Sequence, residues 1–118
     1  MTEPRYIYNK WFPLGNCKMM TVKPYVFIRE EYKGKLVPSD YTHEKLHIIQ
    51  QGEMTLVGFF LDYILEYVIK LLLTFSHHRA YRSISTEQEA YANQNRQSYL
   101  VTREKYAWRK YIFKLKKK

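Results

Sequence analysis

One cysteine, Cys17, leaves no partner for an intrachain disulfide and excludes the small disulfide-framework scaffolds. A reducing compartment is the simpler expectation. The N-terminus lacks an apolar h-region and a small-residue cleavage site, since Glu3, Pro4 and Arg5 are followed by tyrosines. The chain is therefore expected to be unsecreted and cytoplasmic. Acidic residues are scarce, with 11 Asp and Glu against 20 Lys and Arg, a formal charge of +9. Such an excess attracts acidic partners and phosphate-rich surfaces over a Debye length of about 8 Å, but specifies no function. Length is limited too. One core can be built from 118 residues, but no second lobe to enclose a cleft, so an active site here is shallow or borrowed from a partner. Internal repeats are absent, and low complexity is confined to the final lysines.

An uninterrupted membrane span is also missing. Leu56 to Leu73 is apolar for nearly the roughly 20 residues a bilayer requires, but Asp62, Glu66 and Lys70 interrupt it. Spaced by four, these form one charged stripe on a helix, with Glu66 and Lys70 in the favourable i,i+4 order. Each would cost about 3 kcal/mol near the centre of a bilayer. The expected structure is a long core helix showing one wet, charged face. The alternative is a helix lying in a membrane surface, a peripheral contact that the basic C-terminus from Arg103 to Lys118 would assist. That C-terminus otherwise reads as a solvated helix with a frayed basic tail, and no specific nucleic-acid partner is predicted.

What the chain has in quantity is hydrophobic and aromatic residues, 46% and 17%, which marks an ordered protein. Residues 1–118 are expected to form one domain, with 1–38 mainly strands, 39–115 mainly helices and 116–118 a basic tail. Pro13, Gly15 and Asn16 punctuate a turn, Val22 to Ile28 reads as a strand, and Lys33-Gly34 reads as a hairpin turn before Leu36 and Val37. These signals predict a small antiparallel sheet. After Pro38, with Ser39 or Asp40 as N-cap, helices are expected over Tyr41 to Met54 and Leu56 to about Phe75. A third starts after Ser83 or Ser85, where Ser85 and Gln88 fit a capping box, and ends near Asn93; a last begins at Tyr99. Strands first and helices after predict an α+β fold with three or four helices.

His43-Glu44-Lys45-Leu46-His47 carries the chemistry. Two His at i and i+4 project from one face of a helix, near enough for both imidazoles to reach one zinc ion at about 2.0–2.1 Å. Glu44, about 100° around the helix from His43, flanks such an ion instead of ligating it, where a general base must sit to take a proton from water. The competing reading is chance, two histidines on a helix with a solvated Glu between them. Two His leave zinc underbound, so a third ligand is required. By residue type the candidates are His77 and His78, and the carboxylates Glu87 and Glu89 on a later helix.

His43 to His47 followed by Glu87-Gln88-Glu89-Ala90-Tyr91-Ala92 resembles the gluzincin metallopeptidases, in which HExxH supplies two His and a later helix supplies Glu in a Glu-x-x-Ala-Asp or Glu-x-x-Ala-Asn setting. The resemblance covers about half of the chain, from Tyr41 to Asn93. It implies an antiparallel sheet beside the active-site helix, a connecting helix and a glutamate helix. It also implies zinc on His43, His47 and Glu87, with Glu44 as the catalytic base and Ala90 as the packing alanine. Tyr91 departs from the pattern. It stands where the family has the Asp or Asn that orients a ligating His, a bond worth about 10- to 100-fold in metal affinity. A register in which Glu89 ligates, with Asn93 as its polar partner, stays open.

The expected function is zinc-dependent peptide-bond hydrolysis by a minimal gluzincin-like metallopeptidase, acting on a peptide or protein substrate extended along the sheet edge. The alternative is a catalytically weak or inactive metal-binding or adaptor protein on the same scaffold, favoured by small size, by Tyr91 and by the lack of an obvious oxyanion donor. His77, His78, Tyr81, Arg82 and Tyr91 are the donors to choose from. Cys17 could also reach the metal, although the usual fate of a lone Cys is that of a small buried hydrophobe.

Overall fold

Alternation in the strand Tyr25–Arg29 sets the core: Val26 and Ile28 point one way and are fully buried, while Tyr25 and Phe27 point the other. Ile48 from the first helix closes on the buried pair, with Tyr6, Met19, Tyr32 and Leu36 packed around it. The computed structural model describes residues 4–11 and 18–116. The turn expected at Pro13, Gly15 and Asn16, the lone Cys17, and Lys117 and Lys118 lie outside the described residues.

The strands are β1 (Arg5–Asn9), β2 (Met19–Val22) and β3 (Tyr25–Arg29), in the order β1-β3-β2. The single strand expected across Val22 to Ile28 is divided by a turn at Lys23-Pro24. β2 pairs with β3 antiparallel, as expected, but β1 runs parallel to β3, so the sheet is mixed. The chain reverses between β1 and β2 and again before β3, and strands two reversals apart run the same way. The hairpin expected at Lys33-Gly34 does not form. Glu30–Tyr32 is a 3-10 turn, and Leu36 and Val37 lead directly into a helix.

That helix, α1 (Pro38–Met54), begins one turn earlier than expected. Pro38 occupies its first position, where a missing N–H is no loss, and Asp40 Oδ2 accepts the Val37 N–H at 3.0 Å. Gln51 anchors α1 to the sheet, accepting from Lys23 N at 2.6 Å and donating to Thr21 O at 2.8 Å. A single residue, Thr55 (φ 61°), separates α1 from α2 (Leu56–Thr74), and its Oγ1 accepts the Gly58 N–H. Then come α3 (His77–Ser83), α4 (Ser85–Asn93) and α5 (Tyr99–Thr102), followed by a 3-10 turn over Ala107–Tyr111. The fold is α+β, as expected. The last helix is shorter than expected, and His77 and His78 open α3.

The largest departure is in α2. Its charged stripe does not face water: Glu66 and Lys70 are buried, Asp62 is half-buried, and the leucines and valines opposite are exposed. The stripe turns inward because its partners are there. Glu66 accepts both the Ser85 N–H (2.8 Å) and the Ser85 hydroxyl (2.5 Å), and Lys70 donates to Glu66 at 2.8 Å and to the Ser83 carbonyl. The carboxylate thus caps the positive N-terminus of α4 from across the fold. The expected Ser85–Gln88 capping box is replaced by this contact, and Gln88 donates instead to Ser83 O and to Tyr111 O and Lys114 O of the C-terminal segment. Among the described residues no helix is long and apolar enough to cross a membrane.

Candidate metal centre

One turn of α1 separates His43 from His47, so both rings leave the same face and meet α4, which brings Glu87. The two Nε2 atoms are 3.1 Å apart. His43 Nε2 lies 3.1 Å from Glu87 Oε1, and His47 Nε2 lies 3.3 Å from Glu87 Oε2. All three residues are buried, and one donor atom from each falls within 4.8 Å of the others, a group able to hold a metal ion.

The orientation of the rings is secured from behind. Gln50 donates its amide nitrogen to Thr86 O (3.1 Å) and to Glu89 Oε1 (2.9 Å), neither of which can donate in return. Its oxygen must therefore face His47 Nδ1, 2.8 Å away, and accept from it. His47 consequently donates from Nδ1 and turns its Nε2 toward the cluster. On the other ring, His43 Nδ1 lies 2.8 Å from Gln94 Oε1. Two ring nitrogens and a carboxylate aimed at one point form a group that could hold a cation in place of a ring proton. Burial opposes charge on the His47 ring, but Glu87 and Glu44 outweigh it and raise its pKa to about 9. Burial also disfavours an ionised Glu87, yet His47 and His43 hold its carboxyl well below the usual carboxylate range. Tyr63 donates to Glu87 Oε2 at 2.9 Å, steadying the ligand on its other side.

Glu87, and not Glu89, joins the histidines. Two positions apart on a helix point about 200° apart, so the two carboxylates serve opposite sides of α4. Glu89 is fully buried on the far side, bound by Arg103 at 2.7 and 3.0 Å, Tyr99 at 2.8 Å and Gln50. Arg103 also reaches Glu53 at 2.9 Å, so this network fixes α1, α4 and α5 to one another. Asn93, the expected polar partner of Glu89 in the other register, donates back to the Glu89 carbonyl.

Glu44 is buried beside the cluster, held by the Thr21 hydroxyl of β2 at 2.6 Å. It lines a cavity of about 670 Å³ whose wall also includes His43, Tyr63, His78, Tyr81 and Tyr91. His77 and His78 are exposed on this wall, outside the ligand group, and His77 Nδ1 lies 2.7 Å from the Tyr67 hydroxyl. Tyr91 stacks edge-on against His43 with ring centroids 4.5 Å apart, and Arg82 lies 3.8 Å above the Tyr91 ring. The hydroxyls of Tyr81 and Tyr91 are 3.3 Å apart. Burial, reinforced by the Glu87 charge, pushes Tyr81 far above its ordinary pKa and Tyr91 upward too, so both stay protonated as donors.

Sequence reasoning missed Gln94, Tyr63 and Thr21. Gln94 had a usable signal: seven residues beyond Glu87, it returns to the same face of the helix after two turns. It reaches His43 Nδ1, whereas Tyr91 meets the same ring edge-on. Tyr63 and Thr21 had none, because each reaches the site from a different element. Comparison of the chain with protein-family models, with curated proteins and with solved structures finds no match.

Proposed function

We propose that the chain is a zinc-dependent peptidase of gluzincin type, with His43, His47 and Glu87 as ligands and Glu44 as general base. The observation that carries this reading is the convergence of both Nε2 atoms and the Glu87 carboxylate, with each Nδ1 tied to a glutamine oxygen. Two nitrogens about 2.0–2.1 Å from one tetrahedral ion stand about 3.3 Å apart, close to the 3.1 Å between these atoms. A donor set of two imidazoles and one carboxylate, all buried, suits zinc, which supplies Lewis acidity that activates water and polarises a carbonyl.

The remaining chemistry belongs to the chain. Glu44, steadied by Thr21, accepts a proton from the attacking water at its carboxylate and returns it to the departing nitrogen. Tyr81 and Tyr91, both protonated, are the donors on the cavity wall for charge developing on the carbonyl oxygen. β2 is an edge strand, and its Met19 lines the same cavity, which favours an extended peptide as substrate.

The test is metal analysis of purified protein, followed by incubation of zinc-loaded wild type and Glu44→Gln with a broad peptide library. Expected are one bound zinc in both and a loss of cleavage of about 100-fold or more in the variant. Equal cleavage by both would remove the base. Stoichiometric zinc with no turnover in either would favour the non-catalytic metal-binding reading, and absence of zinc from both would remove the site.

A further inference from the structure

An ordinary amphipathic helix turns its apolar side to the core and its charges to water; α2 does the reverse. Val57, Leu61, Ile64, Leu65, Leu72 and Leu73 are each at least 60% exposed. They occupy one half of a 19-residue helix about 28 Å long. Its ionisable residues have been withdrawn from that half: Glu66 and Lys70 are buried in mutual contact against Ser83 and Ser85, and Asp62 is half-buried at the flank. The inversion is thus held in place by satisfied buried polar contacts, and it leaves a continuous aliphatic face turned to water.

The charge of the chain beyond α2 bears on what covers this face. Beyond α2 the acidic residues are Glu87, Glu89 and Glu104, and the first two are buried. Among the described residues beyond α2 the exposed charge is therefore basic with one exception, and includes Lys110, Lys114 and Lys116. Residues 111–116 are tied to α3, which packs on α2: Lys116 N donates to Ser83 Oγ and Arg79 Nε donates to Lys116 O. Between these lysines Phe113 is 96% exposed, so the segment alternates bulky apolar and cationic side chains. A second copy would bring two molecules of formal charge +9 together, whereas an anionic lipid surface complements both the aliphatic face and the lysines. The helix is not a span, which leaves the plane of the interface.

We propose that the outward face of α2 seats in the headgroup–acyl boundary of an anionic bilayer, with residues 111–116 held against phosphate. This does not depend on the metal reading. The test is flotation of the full chain with vesicles of phosphatidylcholine alone or containing about 30% phosphatidylglycerol, at low and high salt. Wild type is expected to float with the anionic vesicles, less so at high salt. The Leu61→Glu/Leu65→Glu variant is expected to bind at least about tenfold more weakly while keeping its circular dichroism spectrum. Should that variant unfold, Lys114→Glu with Lys116→Glu tests the charged half, with a loss of roughly tenfold expected on anionic vesicles only. The proposal is overturned if wild type stays in solution, if either folded variant binds as wild type does, or if ultracentrifugation shows a wild-type dimer that the leucine substitutions dissociate while no vesicle is bound.

Discussion

Gln50 holds His47 by its amide oxygen, 2.8 Å from Nδ1, while its amide nitrogen is spent on Glu89 and Thr86 O. One side chain therefore joins the candidate metal site to the network that ties α1, α4 and α5 together. Gln94 does only the first of these jobs, for His43. The two glutamines should separate on truncation. Gln94→Ala is expected to weaken zinc binding by about 10- to 100-fold with little change in melting temperature. Gln50→Ala should weaken it comparably and also destabilise the fold by about 1–3 kcal/mol, since buried Glu89 loses a donor. Calorimetric zinc titration and thermal melts read both, and unchanged affinity in Gln94→Ala would show that the His43 ring is held by something else.

The two carboxylates of α4 give a second contrast. Glu87→Gln removes the anionic ligand, and zinc content should fall from about one per chain to a small fraction, with the fold retained. Glu89→Gln leaves Arg103 short of its closest buried counter-charge and should cost about 3–5 kcal/mol of stability, while the folded fraction still binds zinc. Metal analysis beside urea unfolding checks the pair; zinc loss in folded Glu89→Gln with retention in Glu87→Gln would reverse the assignment.

These contrasts mark what the residues disclosed and what they did not. The HExxH spacing is local, one turn of one helix, and the angle between Glu87 and Glu89 follows from helical periodicity; both were legible before the fold was known. The direction of α2 was not. A stripe of Asp62, Glu66 and Lys70 has the same periodicity whether it faces water or the core, and the choice depends on Ser83 and Ser85, elements away in the chain. The pairing of β1 was equally hidden, since its partner is decided by β3 inserting between β1 and β2. The helices of this chain are written locally, and their neighbours are not.

Metal linkage gives a third expectation. A ligand that binds only the folded chain at about 100 times its Kd adds about 2.7 kcal/mol of stability, or roughly 10 °C in Tm for a chain of this size. Adding zinc to chelator-treated wild type should produce such a rise, and His47→Ala should abolish it. A rise of equal size in His47→Ala would place the stabilising ion elsewhere.

The Asp62–Glu66 pair sets an acid-side signature distinct from the metal. Asp62 is pushed up to about 7, chiefly by burial, with the hydrogen bond and charge of Glu66 adding and Lys70 opposing. Glu66 is held low despite burial, because Asp62, Lys70 and Ser85 all stabilise its charge. Below neutrality the pair therefore keeps one proton, on Asp62. In the unfolded chain Asp62 titrates near 3.8. A folded pKa above the unfolded one means that this contribution is whole below about pH 4 and is lost as the pH climbs through 7. Beyond that point the fold must hold two adjacent carboxylates with Lys70 as the cation near both, and one oxygen of Asp62 has no hydrogen-bond partner among the described residues. Asp62→Asn keeps a donor toward Glu66 and removes the titration. Its melting temperature relative to wild type should therefore rise by a few degrees between pH 5 and pH 8. Thermal melts of both proteins across that window measure the difference directly, and a gap that stays constant would mean that Asp62 ionises as an ordinary aspartate.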